Sequence, residues 1–476
     1  MTFQRWMDFL GIPVAAAVFV ALYLMPTPSG LSTNGQMSLA IFMTALVLWV
    51  SQAIPTYATS LVGMVLLVLT GAWPESSVLG VFGQDVIWLM VCAFILTSAM
   101  SKSRLAQRLA LAMVTSFSSR AKWALLSMIV LNGMLAFLVP STTARAALML
   151  PIVLILAEIY GAKPGQSNFG ASLMIQELQS NNIFTSGILT ATTCNVMAVG
   201  FIRQLGGEQV YYTDWLFAAF PIMLLTMIAS WAIGLVLFPP EHDTPMGQNL
   251  DSLRAELKGM GALSADEWRA AFIFALTVFL WVSDRWHVQM WGFTVSTAMA
   301  AIIAATLCFL PGIGLLKWKE ASIPWDLMIF SCGAYAVGLA LESNGAARWL
   351  MDILFVASGI REMSFFGAYV VVMLVSMFSH LVFTSKTVRT AIVIPIVIAL
   401  AKAMGFNPVS LALPAAFTMC WTITLPPHCK PNLIFYGTGY FGVPQQLLYG
   451  ILVCLVGCAL LVIAGPTWFA LLGLVR

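Results

Sequence analysis

Ser, Thr and Arg side chains recur in two copies of one short segment, the second of which adds a Lys. Pro140-Ser141-Thr142-Thr143-Ala144-Arg145-Ala146-Ala147-Leu148-Met149-Leu150-Pro151 returns 244 positions later as Thr384-Ser385-Lys386-Thr387-Val388-Arg389-Thr390-Ala391-Ile392-Val393-Ile394-Pro395. Ser, Thr, Arg and the closing Pro keep their offsets. Hydroxyls followed directly by a new helix, with a guanidinium two residues on, can hold an anion: the first N–H groups of the helix and the hydroxyls donate, and the arginine adds charge. Two such segments facing each other suit an anion with two negative ends, such as a dicarboxylate.

Arg145, Lys386, Arg389 and Lys430 are the basic residues that fall at depth within apolar stretches. A charge near the centre of a membrane helix costs roughly 2.5–3.5 kcal/mol, so such residues usually face a cavity or a partner. Asp85, Glu158, Asp326 and Glu342 are the nearest candidate acidic partners, and simple pairing with them is the competing explanation. Lys430 either touches an anion or neutralises Glu342 or a helix C-terminus. His428, two residues before it, reads either as a neutral hydrogen-bonding ring or as a proton-sensitive switch.

A second pair of polar interruptions follows each segment. Leu425-Pro426-Pro427-His428-Cys429-Lys430-Pro431-Asn432 is strongly signalled, because prolines remove helix donors. Thr190-Ala191-Thr192-Thr193-Cys194-Asn195 is expected to break by equivalence to it, although propensity alone leaves a continuous helix open.

These groups must be positioned by membrane helices. Hydrophobic residues make up 60% of the 476 and charged residues 9%, with a mean hydropathy of +0.93. Such a chain cannot present a mostly polar surface to water. Residues 9–74 and 431–475 contain no Asp, Glu, Lys or Arg. A net charge of +3 without basic runs argues against nucleic acid as a partner. The eight cysteines form no CxxC and read as packed thiols rather than disulfides or metal ligands, and neither a metal nor a cofactor is expected. No Ser/His/Asp arrangement, HExxH, Walker motif or dinucleotide fingerprint occurs, so an enzyme is not expected. The first apolar segment reads as a retained helix rather than a signal peptide.

The expected fold is an all-α integral membrane protein. Spans fall near 10–27, 37–54, 58–73, 84–101, 171–200, 214–238, 267–283, 291–310, 324–341, 408–436 and 446–473, eleven in all. The stretches 123–160 and 365–403, each interrupted by the duplicated segment, are expected as re-entrant hairpins, since non-helical backbone at membrane depth survives only under protein or around a wet cavity. Gly83-Gln84-Asp85 with Ser103 and Arg108 matches Pro324-Trp325-Asp326 with Ser343 and Arg348 at nearly the same offset. The chain thus divides into an extra N-terminal helix (1–30), a first repeat (31–238), a linker (239–266) and a second repeat (267–476). Five crossings per unit turn the second repeat upside down, as in many secondary transporters. Twelve basic residues on one side against six on the other, the six including Arg361 and Arg476, place the N-terminus and the linker in the cytoplasm.

The duplicated Ser-x-Thr motif, each copy ten residues before a Leu/Ile-Pro, with the later Asn-containing breaks and Gly437-Thr438-Gly439, resembles the divalent anion/sodium symporter family, a family of dicarboxylate transporters. The resemblance covers the chain from about residue 30. It implies a homodimer in the bacterial-type inner membrane, with scaffold and transport domains moving substrate by an elevator-like shift. It also implies a substrate site of Ser141, Thr142 and Thr143; Ser385, Lys386 and Thr387; Thr192, Thr193 and Asn195; and Lys430, Pro431 and Asn432, with Cys429 at the second break. The family motif usually reads Ser-Asn-Thr. Here Thr142 and Lys386 replace its Asn, while Arg145 and Arg389 follow. A fixed cation a few Å from a sodium cage opposes it by ~4 kcal/mol at an effective dielectric of 20. Arg145, Lys386 and Arg389 therefore look like substitutes for bound sodium, a pattern resembling the exchanger branch with its citrate/succinate antiporters and plastid 2-oxoglutarate/malate translocators. The expected function is sodium-independent antiport of di- or tricarboxylates. The alternatives are a sodium-coupled dicarboxylate or sulfate symporter and, further off, an anion channel.

Overall fold

The computed structural model describes residues 3–117, 120–244, 254–255, 257–350, 353, 363–381, 383 and 385–474. Arg361, Thr384, Arg476 and part of the 239–266 linker lie outside them. Among the described residues the chain is helical throughout. The first half runs through α1 (Phe3–Leu24), α2 (Thr33–Ser51), α3 (Thr56–Leu69), α4 (Glu75–Gly80), α5 (Asp85–Ser103), α6 (Leu105–Phe117), α7 (Ala121–Leu138), α8 (Thr142–Ile159), α9 (Asn168–Gly187), α10 (Thr193–Gly206) and α11 (Tyr212–Leu237). The second half holds α12 (Ala265–Val282), α13 (His287–Trp291), α14 (Thr297–Phe309), α15 (Trp325–Ser343), α16 (Phe365–Phe378), α17 (Lys386–Ala403), α18 (Pro408–Thr418), α19 (Lys430–Tyr436) and α20 (Val443–Ala464).

Among the described residues seven helical stretches are long and apolar enough to cross a membrane, or eight with the bent pair α12 and α13 taken as one span. Large apolar side chains such as Leu69, Val236 and Leu471 point outward, as a lipid solvent allows. The chain is a multi-pass membrane protein. The expectation of eleven crossings counts shorter apolar helices too, such as α3 and α14, and joins α9 to α10 and α18 to α19 across their interruptions.

The interruptions arise locally. Ser141 and Ser385 cap α8 and α17 in the same way, accepting from the N–H of Ala144 (3.3 Å) and Val388 (3.4 Å). Each preceding helix, α7 or α16, therefore ends just before a new one begins. Ile188 leaves α9 in an extended conformation, a single 3-10 turn follows, and Thr192 restarts the helix as α10. The second copy does the same through Leu425, a 3-10 turn at Pro426–His428, and Cys429.

Packing gathers two groups. In one, α3 lies on α2 and α15, and α5 on α14; in the other, α9 sits among α7, α8 and α11 while α17 packs on α10 and α18. Small residues let helices approach closely, which membrane packing relies on because lipid supplies no hydrophobic drive. A Cβ on Gly333 of α15 would stand 2.3 Å from Cβ of Ser60 on α3, whose hydroxyl donates to the Phe330 carbonyl at 3.1 Å. Gly333→Val should therefore destabilise the folded protein by about 1–3 kcal/mol through overpacking. Thermal unfolding in detergent should show that loss, and adding Ser60→Gly should recover part of it.

Candidate functional site

Four interruptions in the membrane helices meet at one cavity of about 670 Å³. Its wall carries Ser141, Thr142 and Thr143 from the start of α8; Ser385, Lys386 and Thr387 from the start of α17; Thr192 and Thr193 from the start of α10; and His428, Cys429, Lys430 and Pro431 from the start of α19. Thr192 and Cys429 cap their helices without a side-chain hydrogen bond, so the opening N–H groups of α10 and α19 keep no side-chain acceptor. Helix starts, hydroxyls and two ammonium groups converge there, a donor set for an anion. Phe94 and Leu327 supply apolar wall, and Gln52 and Asp326 polar wall. Asp326 is the carboxylate on that lining.

The strongest tie across the cavity joins the equivalent middle residues of the two motifs. Lys386 Nζ donates to Thr142 Oγ1 at 3.0 Å, linking the two helix starts. The motif thus places a half-buried ammonium between the two rows of hydroxyls.

The two arginines are not on the wall. Arg145 and Arg389 are completely buried, one residue layer behind it. Arg145 donates to the Val139 carbonyl (3.3 Å), to the Asn181 carbonyl (2.7 Å) and Oδ1 (2.9 Å), and to Thr185 Oγ1. Arg389 donates to the Thr418 carbonyl, while its Nε and Nη1 have no hydrogen-bond partner among the described residues. Arg145 thus reaches the carbonyl of Val139 at the C-terminal end of α7 and a carbonyl within α9, and Arg389 the carbonyl that closes α18; at helix ends such carbonyls carry partial negative charge. The sequence reading offered Asp85, Glu158, Asp326 and Glu342 as acidic partners. The structure pairs Asp85 with Arg203, and Glu342 with Lys402 at 2.5 Å, so Lys430 does not neutralise Glu342. Lys430 opens α19 instead of closing a helix.

Asn195 and Asn432 also stand behind the wall, in matching roles. Asn195 Nδ2 donates to the Thr185 and Ile188 carbonyls at 2.7 and 2.9 Å; Asn432 Nδ2 donates to the Thr422 and Leu425 carbonyls at 2.6 and 2.9 Å. Each amide closes the carbonyls that its interruption frees. His428 shares the Thr424 hydroxyl (3.3 Å) with His380 (2.9 Å), and the two rings meet edge to face at 5.4 Å. His428 lines the cavity and His380 is buried behind it.

Sequence reasoning placed a span over α9 but missed its polar side chains. Asn181 donates to the Thr142 carbonyl at 2.9 Å, and Asn182 reaches Asn432 Oδ1 at 3.2 Å. The polar run Gln176-Glu177-Leu178-Gln179-Ser180-Asn181-Asn182 inside an apolar span was the available signal.

Removing one staple should loosen one interruption. Asn195→Ala or Asn432→Ala leaves two buried carbonyls without their donor, at about 1–3 kcal/mol for each unsatisfied group. Thermal unfolding should show the loss, and anion affinity at the cavity should fall with it, while Asn195→Ser should be milder because it keeps one donor.

Comparison with known proteins agrees with this architecture. The chain is 28% identical over 487 residues to a membrane protein of Cupriavidus necator, covering 97% of this chain and 93% of that one. It is 27% identical over 477 residues to the sodium-dependent dicarboxylate transporter SdcS of Staphylococcus saprophyticus (96% and 90% covered). Identity is again 27%, over 482 residues, to the chloroplastic dicarboxylate transporter 1 of Spinacia oleracea (99% and 83%). Among solved structures, the YdaH transporter of Alcanivorax borkumensis shares the fold with a TM-score of 0.54 at 14% identity and 99% of both chains covered. MtrF of Neisseria gonorrhoeae does so with a TM-score of 0.55 at 12% identity and 97% of both. Residues 6–475 match the transmembrane region that defines sodium:sulfate symporters, and with helix interruptions, hydroxyl motifs and span all in agreement, this chain belongs to that family.

Proposed function

We propose that the protein is a secondary transporter that exchanges di- or tricarboxylate anions across the membrane without sodium. The observation that carries this reading is the Lys386 ammonium bonded to Thr142 between the two helix starts. An anion entering the cavity would meet that cation, the Lys430 ammonium and the hydroxyls of Ser141, Thr143, Ser385 and Thr387. Arg145 and Arg389 would hold the carbonyl-rich half-helix ends that a sodium ion would otherwise occupy, and neither can shed its charge. A carrier with cations built into its moving part crosses the low-dielectric membrane at a high electrostatic cost unless an anion accompanies it. Obligatory exchange follows.

The wider reading is that of the resemblance. The two halves are inverted repeats, α7/α8 and α16/α17 are re-entrant hairpins, and the hairpins with α9–α11 and α18–α20 form a transport domain that slides against a scaffold of α1–α5 and α12–α15. The protein acts as a homodimer in an inner membrane with its N-terminus in the cytoplasm. Gln52, Pro324 and Asp326 on the cavity's lining belong to helix ends on the cytoplasmic side of that topology, which supports reading the conformation as inward-facing. Sodium-coupled symport is the second reading, favoured by the name of the staphylococcal relative.

Purified protein in liposomes tests both. Exchange of internal for external succinate, malate, 2-oxoglutarate, tartrate or citrate should proceed at equal rates in sodium, potassium and choline, with little net uptake into anion-free vesicles. Net uptake driven by a sodium gradient without internal anion would establish symport, and uptake needing neither gradient nor counter-anion would establish a channel.

A further inference from the structure

Glu177 is the carboxylate buried deepest in the helical core around the cavity. It is completely inaccessible, and so is Asn132 of α7 beside it. Asn132 Nδ2 donates to Glu177 Oε1 at 2.5 Å. The other oxygen of each group, Glu177 Oε2 and Asn132 Oδ1, has no hydrogen-bond partner among the described residues. Both are acceptors if the carboxyl is ionised, and two buried acceptors cannot satisfy each other. If the carboxyl is protonated, Oε2–H donates to Oδ1, and acid and amide close a ring of two reciprocal hydrogen bonds. Turning the amide over changes nothing, because Oδ1 would then face Oε1 at the same short distance and again require a proton between them.

The surroundings supply one strong opposing influence. Elements packed against α9 are α7, α8, α11, α18, α19 and α20. From these, Arg145 of α8 acts electrostatically on Glu177, one turn from Asn181, which holds the guanidinium. Lys122 and Asp214 lie in the first turns of α7 and α11, Glu158 in the last turn of α8, and Lys430 on the cavity. Tyr212 stacks on Trp281, Tyr436 meets Phe441 edge to face, and Tyr449 donates to the Ser230 carbonyl. The buried thiols Cys454 and Cys458 complete the titratable groups of α20, and α18 carries none.

We propose that Glu177 and Asn132 form a proton-binding site, in which the neutral acid leaves the charge of Arg145 uncancelled and available to hold the transported anion. Uptake of one proton from water neutralises one carboxylate. Its release turns Glu177 and Arg145 into an internal ion pair and lowers the positive charge behind the cavity by one. In a medium of low dielectric that difference is felt across the site. The consequence for anion binding rests on the transport reading above, but the protonation state does not.

Infrared spectroscopy of the purified protein without substrate decides the protonation state. At neutral pH we expect a carboxylic-acid C=O band that shifts on deuteration, disappears in Glu177→Gln and moves in Asn132→Ala, where the acid loses its acceptor. If neither variant folds, the wild-type band and its conversion to carboxylate at alkaline pH serve instead. No such band at neutral pH, or a band unchanged in Glu177→Gln, would overturn the proposal whatever the protein transports. Glu177→Gln keeps both hydrogen bonds and should bind anion as tightly as the wild type at neutral pH. It should also lose the wild type's alkaline weakening, which follows the ionised fraction at about tenfold per pH unit once titration begins. A folded Glu177→Gln protein that binds anion about tenfold more tightly than the wild type at neutral pH would mean that Glu177 is ionised there and cancels Arg145, and would likewise overturn it.

Discussion

A helix that stops in the middle of a bilayer frees N–H and C=O groups that lipid cannot satisfy, and every one must be met by protein or by a wet cavity. Four such stops converge here, and the arrangement of the site follows from how each is satisfied. Carbonyls freed at the ends of α7, α9 and α18 take Arg145, the Asn195 amide and Arg389 respectively; those of the second turn take Asn432. The N–H groups freed at the starts of α8 and α17 are partly taken by Ser141 and Ser385. Those at the starts of α10 and α19 have no side-chain cap. Acceptors are closed from behind by fixed donors, and the donors that remain open face the cavity. That asymmetry is what the proposed anion site rests on.

Charge follows the same division. The arginines lie behind the wall on carbonyls, and the lysines lie on it. A guanidinium on a helix C-terminus neutralises partial charge that a bound cation could otherwise neutralise. An ammonium on a motif hydroxyl leaves positive charge free for a ligand. The first kind fits a transporter with no need of sodium, and the second fits one that moves anions by exchange.

Much of this was legible in the sequence because it rests on local chemistry. Ser before a helix start and the prolines at 426, 427 and 431 mark interruptions by what they do to their own backbone. Thr192–Asn195, without prolines, was legible only through its equivalence to the second copy. What could not be read were partners at long range. Acidic side chains looked like the natural counter-charges for Arg145 and Arg389, but backbone carbonyls serve, and they leave no mark in a sequence. Asn195 and Asn432 looked like ligands of a substrate because polar residues at a break are conspicuous, while the carbonyls they close are not. Glu177 and Asn181 lie in the conspicuous polar run 176–182, but nothing local to it names the partners it meets on α7 and α8.

The central claim is that the Lys386 charge between the two hydroxyl rows holds the anion in place of a metal ion. Calorimetric binding of the preferred carboxylate to purified wild-type protein and to Lys386→Gln, each in sodium-free choline buffer and again in sodium, tests it most directly. The account predicts tight binding by the wild type that sodium does not change, and a loss of about tenfold or more in Lys386→Gln, matching a lost charge-assisted hydrogen bond. Equal affinity of the two proteins, or wild-type binding that appears only with sodium, would contradict it.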